Sequence, residues 1–361
     1  MWIYIIELIF IYIFGYLFLV KFNNKKYFLH SSFILMAIIL GLRGTSVGED
    51  TQHFIHIFNL SKNISWLTIL SSGTETTYEK IWGVNQNVEN GYMILNKMVG
   101  SFTSEGQWIV FIVAILTCFL FYRFIYKIIP QHVFIATQVF MCESLYMNTF
   151  NLMRQMLAIG IALNAYEYIK DKKYKKALLI FLIAFFFHKS SLVLLILIPL
   201  CAVKNNKNTI KYIFIIAILL NMFIPIIEII ISKLVPRYSS YFMTNYWRVN
   251  IKGTMVMWVL ELIICFIFYK KNNLIKDKDV FIAVSCTIIY LAFDILGLRL
   301  SAFSRIALYY RSFLMLLFPL FGCKIQKEYR ALYYFGLLSI LAVEFISYAN
   351  IDSRHYLFFW Q

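Results

Sequence analysis

The sequence predicts an all-α protein, a polytopic bundle of about 10 to 12 transmembrane helices in one domain over residues 1–361, with an extracytoplasmic loop at 43–106. Three observations carry this. Of the 361 residues, 61% are hydrophobic, 19% aromatic and only 14% charged, so lipid rather than water must solvate the chain. Apolar runs near the ~20 residues needed to cross a ~30 Å hydrocarbon core recur from one end to the other. The loops between them are basic in a lopsided way, which is how helices are oriented against an anionic cytoplasmic leaflet. That reading also accounts for the +16 net charge without nucleic acid as a partner.

The first run, 2–20, lacks the basic n-region and small-residue cleavage site of a signal peptide and reads as a retained span. KFNNKK at 21–26 holds its end inside, and 27–42 returns outward. Residues 43–106 carry Glu49, Asp50, Glu75, Glu79, Glu89 and Glu105 against few basic residues and stay outside. Spans at 107–127, 132–150 and 153–169 follow and lead to KDKKYKK at 170–176, an inside loop. The run 177–203 then ends in a second basic loop, KNNKNTIK at 204–211, and one crossing cannot keep both loops inside. HKSS at 188–191 interrupts it. The run is therefore a re-entrant hairpin of two half-helices, a break tolerated where protein or a watery cavity surrounds it, or one long tilted span with a basic loop outside. Both versions place His188 deep in the protein. Spans at 210–231, 254–269, 279–298, 308–323 and 331–349 complete the bundle, with KKNNLIKDKD at 270–279 and KIQKEYR at 324–330 inside, and 232–253 and 299–307 outside. The six cysteines lie in or beside apolar runs without CxxC pairs or metal-ligand spacing, as packing residues do. With no repeat, low-complexity segment or Pro/Gly-rich linker, a single domain is the simplest organisation.

Ionisable groups in apolar runs cost a few kcal/mol each to insert, so each is a functional candidate by default. Arg43, Arg154 and His188 stand out. Arg154 opens a helix beside Gln155 and the small residues Ala158, Gly160 and Ala162, where the plainer alternative is an arginine snorkelling to the interface. His188 follows three phenylalanines, where a histidine is often a packing residue. Further on, LAFDILGLRLSAFSRIALYYRSFL spaces Asp294 and Arg305 for one helical face if the helix continues, flanked by Arg299 and Arg311. Guanidinium groups beside an outward loop form an anion site, since they grip phosphate oxygens in pairs and remain charged. An ordinary surface loop is the alternative, but positive residues outside are disfavoured unless something uses them. His53 and His56, with Asp50, have a weak metal-like spacing, although three ligands on one helical stretch rarely converge on an ion. Glu7, Glu143, Glu228, Glu261 and Glu344 lie in apolar runs with no assigned role.

Four stretches in a fixed order resemble one family: LRGTSVGEDTQHFIHIF, ENGYMILNKMV, FNLMRQMLAIGIALNAYEYIKDKKYKKALLIFLIAFFFHKSSLVLL and SAFSRIALYY. Together they resemble the EpsG family, Wzy-like membrane polymerases of bacterial exopolysaccharide and capsule. The matching positions are Arg43, Val47, Gly48, Asp50, Thr51, Phe54 and Phe58, then Glu89, Gly91 and Tyr92, then Arg154, Gln155, Leu157 and Ala158, then Ala184, His188 and Ser190. The chain departs from the family in carrying His53 and Phe54 where a tyrosine is usual.

The resemblance implies a Wzy/GT-C-like enzyme of the bacterial cytoplasmic membrane, which joins undecaprenyl-diphosphate-linked glycan donors and acceptors on the outer face to make exopolysaccharide, capsule or O-antigen. It implies glycosyl transfer without a metal or other cofactor, with a flippase and a chain-length regulator as possible partners. In that reading His188 or Asp50 is the general base, because imidazole titrates near neutrality. Arg154 stabilises the leaving diphosphate. Arg43, Gln155, Arg299, Arg305, Glu89 and Tyr92 bind substrate, with Arg43 meeting the diphosphate or pairing with Asp50. Two other classes stay open: a lipid-linked oligosaccharide flippase with no chemistry, and a GT-C-type transferase of single sugars, for which Glu49-Asp50 would supply an acidic pair.

Overall fold

Helices form along the apolar runs, but many are interrupted. A computed structural model describes residues 2–79, 85–223, 226, 229, 254–299, 301–351 and 355–361. The expected outward loop 232–253 and Glu228 lie outside the described residues. In chain order the helices are α1 (Trp2–Phe14, continued by a π-helical stretch Gly15–Lys21), α2 (Lys25–Gly41), α3 (Thr51–Asn63), α4 (Trp66–Ser71), α5 (Asn90–Gly100), α6 (Gln107–Ile128), α7 (Val133–Cys142), α8 (Leu145–Asn151), α9 (Met153–Leu163), α10 (Ala165–Lys170) and α11 (Tyr174–Phe187). A 3-10 stretch (Lys189–Ile196) leads to α12 (Leu197–Ala202), α13 (Lys207–Met222), α14 (Thr254–Lys270), α15 (Asn272–Ile275), α16 (Lys278–Gly297), α17 (Ser301–Arg311), α18 (Leu314–Lys324) and α19 (Lys327–Ala349). Two strands, β1 (Glu75–Glu79) and β2 (Asn85–Glu89), precede α5.

Among the described residues, four helices are long and apolar enough to cross a membrane alone: Trp2–Lys21, α6, α16 and α19. The pair α17 and α18, bent by 47° at its break, makes a fifth. The protein is thus a multi-pass helical membrane protein, with fewer unbroken crossings than the apolar runs predict. The reason is local. The run 132–150 is divided at Ser144, held at a left-handed φ of 53°. The run 153–169 is divided at Asn164, whose Nδ2 donates to Leu120 O (3.0 Å) and Gly160 O (2.7 Å). The run 177–203 breaks at His188, where α11 gives way to an extended residue (φ −161°, ψ 118°).

The residues group into two compact units, Met1–Leu194 with Phe345–Gln361, and Leu195–Glu344. No change in composition marks the boundary, because it falls inside the apolar stretch after His188. In the first unit, Phe54 and Phe58 of α3, Tyr92 and Met93 of α5, Val110 of α6 and Leu157 of α9 share one buried cluster.

The hairpin β1–β2 is the element that the apolar pattern does not announce. It is antiparallel, with Glu75 opposite Glu89, and among its described side chains Thr76, Val88 and Glu89 are buried. Its stability comes from Asn90. The Asn90 Nδ2 donates to Ile69 O (2.8 Å) and Gly73 O (2.7 Å), while its Oδ1 accepts from Thr76 Oγ1 (2.7 Å), so the base of the hairpin is tied to the end of α4.

In the second unit Asp294 and Arg305 would share a helical face only if one helix ran through both; instead the helix ends at Gly297, close to the expected end of the span 279–298, and α17 packs back on α16. A Cβ at Gly297 would come within 1.9 Å of Ser304 Oγ, so only glycine permits the close turn. Phe293 then stacks on Phe303 (6.0 Å) and Tyr310 (5.9 Å). Asp294 accepts from Trp258 Nε1 at 3.0 Å.

Candidate functional site

Three segments far apart in sequence meet at one carboxylate in the first unit. Glu89 is the last residue of β2, Arg154 the second of α9, and His188 the residue at which α11 ends. The Arg154 Nη1 donates to Glu89 Oε2. His188 Nδ1 lies 2.8 Å from Glu89 Oε1, a contact with the length of a hydrogen bond but not its ideal direction. The backbone N–H of Lys189 points at the same oxygen from 3.4 Å. Lys189 Nζ in turn sits 2.9 Å from Glu75 Oε2 across the hairpin. Two glutamates facing each other on neighbouring strands would repel. Here each has its own cation.

The burial pattern separates support from reactive surface. Glu89 is 7% exposed at its side chain, whereas Arg154 and His188 keep 21% and 25%. Burial alone would raise the Glu89 carboxyl, but the His188 contact and the Arg154 charge outweigh it and hold the group down to about 2. Glu89 is therefore a permanent anion between two partly accessible cationic or basic groups.

Local packing explains the neighbouring residues. A Cβ at Gly91 would lie 2.6 Å from Phe186 O, so α5 can approach the end of α11 this closely only through a glycine. That approach brings His188 to Glu89. Tyr92, fully buried, packs edge-on against Phe54 at 5.9 Å. The Arg154 guanidinium lies over both rings, 6.0 Å from Phe54 and 5.9 Å from Tyr92. Gln155 is buried beside it. Asp50 occupies the N-cap position of α3, half-buried, one turn before Phe54 on the same helical face.

Arg43 needs a correction. The sequence places it against a diphosphate or Asp50, yet the structure buries it completely, at 0% exposure, and gives its donors to other groups. Nε donates to Thr51 Oγ1 (3.2 Å), Nη1 to Leu40 O (2.6 Å) and Nη2 to Phe150 O (3.3 Å), with the Phe150 ring 5.2 Å from the guanidinium carbon. Gly48, at a φ of 87°, lies so close to Phe150 that a Cβ would come within 2.3 Å of its carbonyl oxygen. Glu49 N donates to Asn151 Oδ1 (3.2 Å). The Arg–Val-Gly-x-Asp-Thr stretch thus grips Phe150 and Asn151, at the α8–α9 joint just before Arg154, and Arg43 is sealed within that grip. Residues 357–359 clasp the same loop: Gly44 N donates to Leu357 O (2.7 Å) and Phe359 N to Leu42 O (3.0 Å).

Arg299 and Arg305 belong to the second unit, and both are exposed there. Arg311, read from sequence as a third arginine of that group, is instead buried against Glu344 at 3.2 Å. Among the described residues no three His, Cys, Asp or Glu side chains gather as metal ligands, His53, His56 and Asp50 included. Sequence reasoning missed Glu75, because only the strand register places it opposite Glu89.

The model of the EpsG family matches residues 26–360. No curated protein and no solved structure matches the chain.

Proposed function

Because the chain belongs to the EpsG family, we propose that it is a polysaccharide polymerase, joining lipid-diphosphate-linked repeat units by glycosyl transfer on the outer face of the bacterial cytoplasmic membrane. The observation that supports this most is the single carboxylate shared by Arg154 and His188.

Glu89 faces Nδ1 of His188, which leaves Nε2 to accept a proton. The acceptor sugar hydroxyl gives that proton to Nε2 as its oxygen bonds to the anomeric carbon of the donor. The bond from that carbon to the diphosphate oxygen breaks, and the diphosphate leaves with the electron pair. The Glu89 anion stabilises the imidazolium that forms. Negative charge grows on the leaving group, and Arg154, fixed by Glu89 yet still partly exposed, meets it with its remaining donors. Within the second unit, exposed Arg299 and Arg305 are candidate anion ligands, and in the first unit half-buried Asp50 stands at the edge of the sugar site in this proposal, with Tyr92 packed beneath Arg154.

The test is replacement of Arg154, His188 or Arg305 by Ala, read as chain-length laddering of the surface polysaccharide at matched expression. Loss of either Arg154 or His188 is expected to reduce polymerisation by about 10²- to 10⁴-fold. Normal ladders in all three variants would refute the site. Purified protein given lipid-linked repeat units separates the alternatives: a polymerase makes longer glycan, a flippase makes none, and a single-sugar transferase adds one residue.

A further inference from the structure

The second unit holds a recess of about 750 Å³ whose walls are residues 201–208 and the pair Lys276 and Lys278. Lys204, Lys207, Lys276 and Lys278 line it together with Asn205 and Asn206, and no carboxylate is among the lining residues. Two of the lysines are structural. Lys207 Nζ donates to Lys270 O (2.9 Å), and Lys278 Nζ donates to Cys201 O, which fastens one basic loop to the other. Asn205 Nδ2 reaches Lys276 O (3.4 Å) and adds to that fastening. The side chains of Lys204 and Lys276 are exposed and take no part in it. The positive ends of two long helices open onto the same place, since α13 begins at Lys207 and α16 at Lys278. Asp277, the cap of α16, lies outside the lining and faces Lys324 at 4.0 Å.

Membrane topology requires these lysines to lie on one side. It does not require them to face one another around a recess without acid. Like charges gathered in this way repel, and an anion entering the recess relieves that repulsion. We propose that this recess binds a phosphate group, carried by an anionic phospholipid headgroup or by a small soluble ligand. With both loops inside, as their charge expects, the recess is a cytoplasmic site, and it does not depend on the reading of Glu89, Arg154 and His188.

The experiment uses full-length protein in uncharged detergent and the double variant Lys204→Gln/Lys276→Gln, which leaves the two fastening lysines intact. One arm titrates inorganic phosphate, with chloride at matched ionic strength as control. The other varies phosphatidylglycerol against phosphatidylcholine in mixed micelles. Thermal unfolding is the readout in both. The wild type is expected to be stabilised in one arm, and the double variant to need about tenfold more of that ligand for the same shift. A response in the phosphate arm identifies a soluble ligand, and one in the lipid arm a headgroup. Identical curves for wild type and variant in both arms, or a chloride effect equal to that of phosphate, would overturn the proposal. Arg154→Ala is expected to leave these curves unchanged while abolishing polymer, so this proposal and the catalytic one fail separately.

Discussion

Arg43 and Arg154 are both cations of the first unit, and they differ in what answers their charge. Arg43 is sealed from solvent and spends its donors on two backbone carbonyls and a threonine hydroxyl. Arg154 meets a full carboxylate and keeps part of its side chain accessible. A buried cation held by neutral dipoles fixes the chain around it, because each acceptor would otherwise be left without a partner. An accessible cation anchored by a buried anion is placed for a second anion. The lesson is that an arginine in an apolar chain is not by itself a binding residue. Its partners decide.

The sharpest way to break this contrast is Arg43→Ala. It is expected to lower stability by about 2 to 4 kcal/mol, since three acceptors lose their donor inside the fold. Thermal unfolding in detergent measures it. Arg43→Lys is not expected to restore stability, because a single ammonium cannot span the three directions. If polymerisation is lost while the unfolding temperature stays unchanged, Arg43 belongs with the reacting groups instead.

Acidification tests the Arg154 side. The Glu89 carboxyl is lowered from 4.5 to about 2 in the fold. Its contribution is therefore complete above about pH 4.5 and is lost as the pH falls toward 2, on the order of 3 kcal/mol in all. The stability difference between wild type and Glu89→Gln should shrink over that interval. A difference that does not change with pH would mean that Glu89 is not held as an anion.

The smallest expected effect is at Gly91. Gly91→Ala pushes a methyl against Phe186 O and should cost about 1 to 3 kcal/mol. Because the displaced segment carries His188, polymerisation should fall further than stability. Equal losses would leave the glycine a packing residue only.

Part of this site is legible in the sequence, since Arg154 and His188 are ionisable residues in apolar runs, whereas Glu89 lies in the polar loop 43–106 and only the family resemblance singles it out. Their grouping is not legible. Glu89, a substrate ligand by the family resemblance, faces Arg154 and His188 in the structure. The hairpin that carries it reads ETTYE and NQNVE, with no apolar alternation to announce a strand, and its anchor is the amide of Asn90. The crossing at 132–150 reads as continuous because a left-handed Ser144 leaves no mark in hydropathy. That Asp294 and Arg305 do not share one continuous helix is decided at Gly297, where the absence of a side chain admits α17.

The amino-acid sequence by itself determines that this chain lives in a membrane, that it is helical, and which side its basic loops favour, because those properties follow from summed transfer energies and loop charge, term by term. Tertiary structure alone decides which ionisable groups neutralise one another. Glu89 takes Arg154 and His188, Arg311 takes Glu344, and Arg43 takes carbonyls. Pairing depends on distances of a few ångströms between segments up to 107 residues apart, and the energy of a buried charge changes most steeply over those distances.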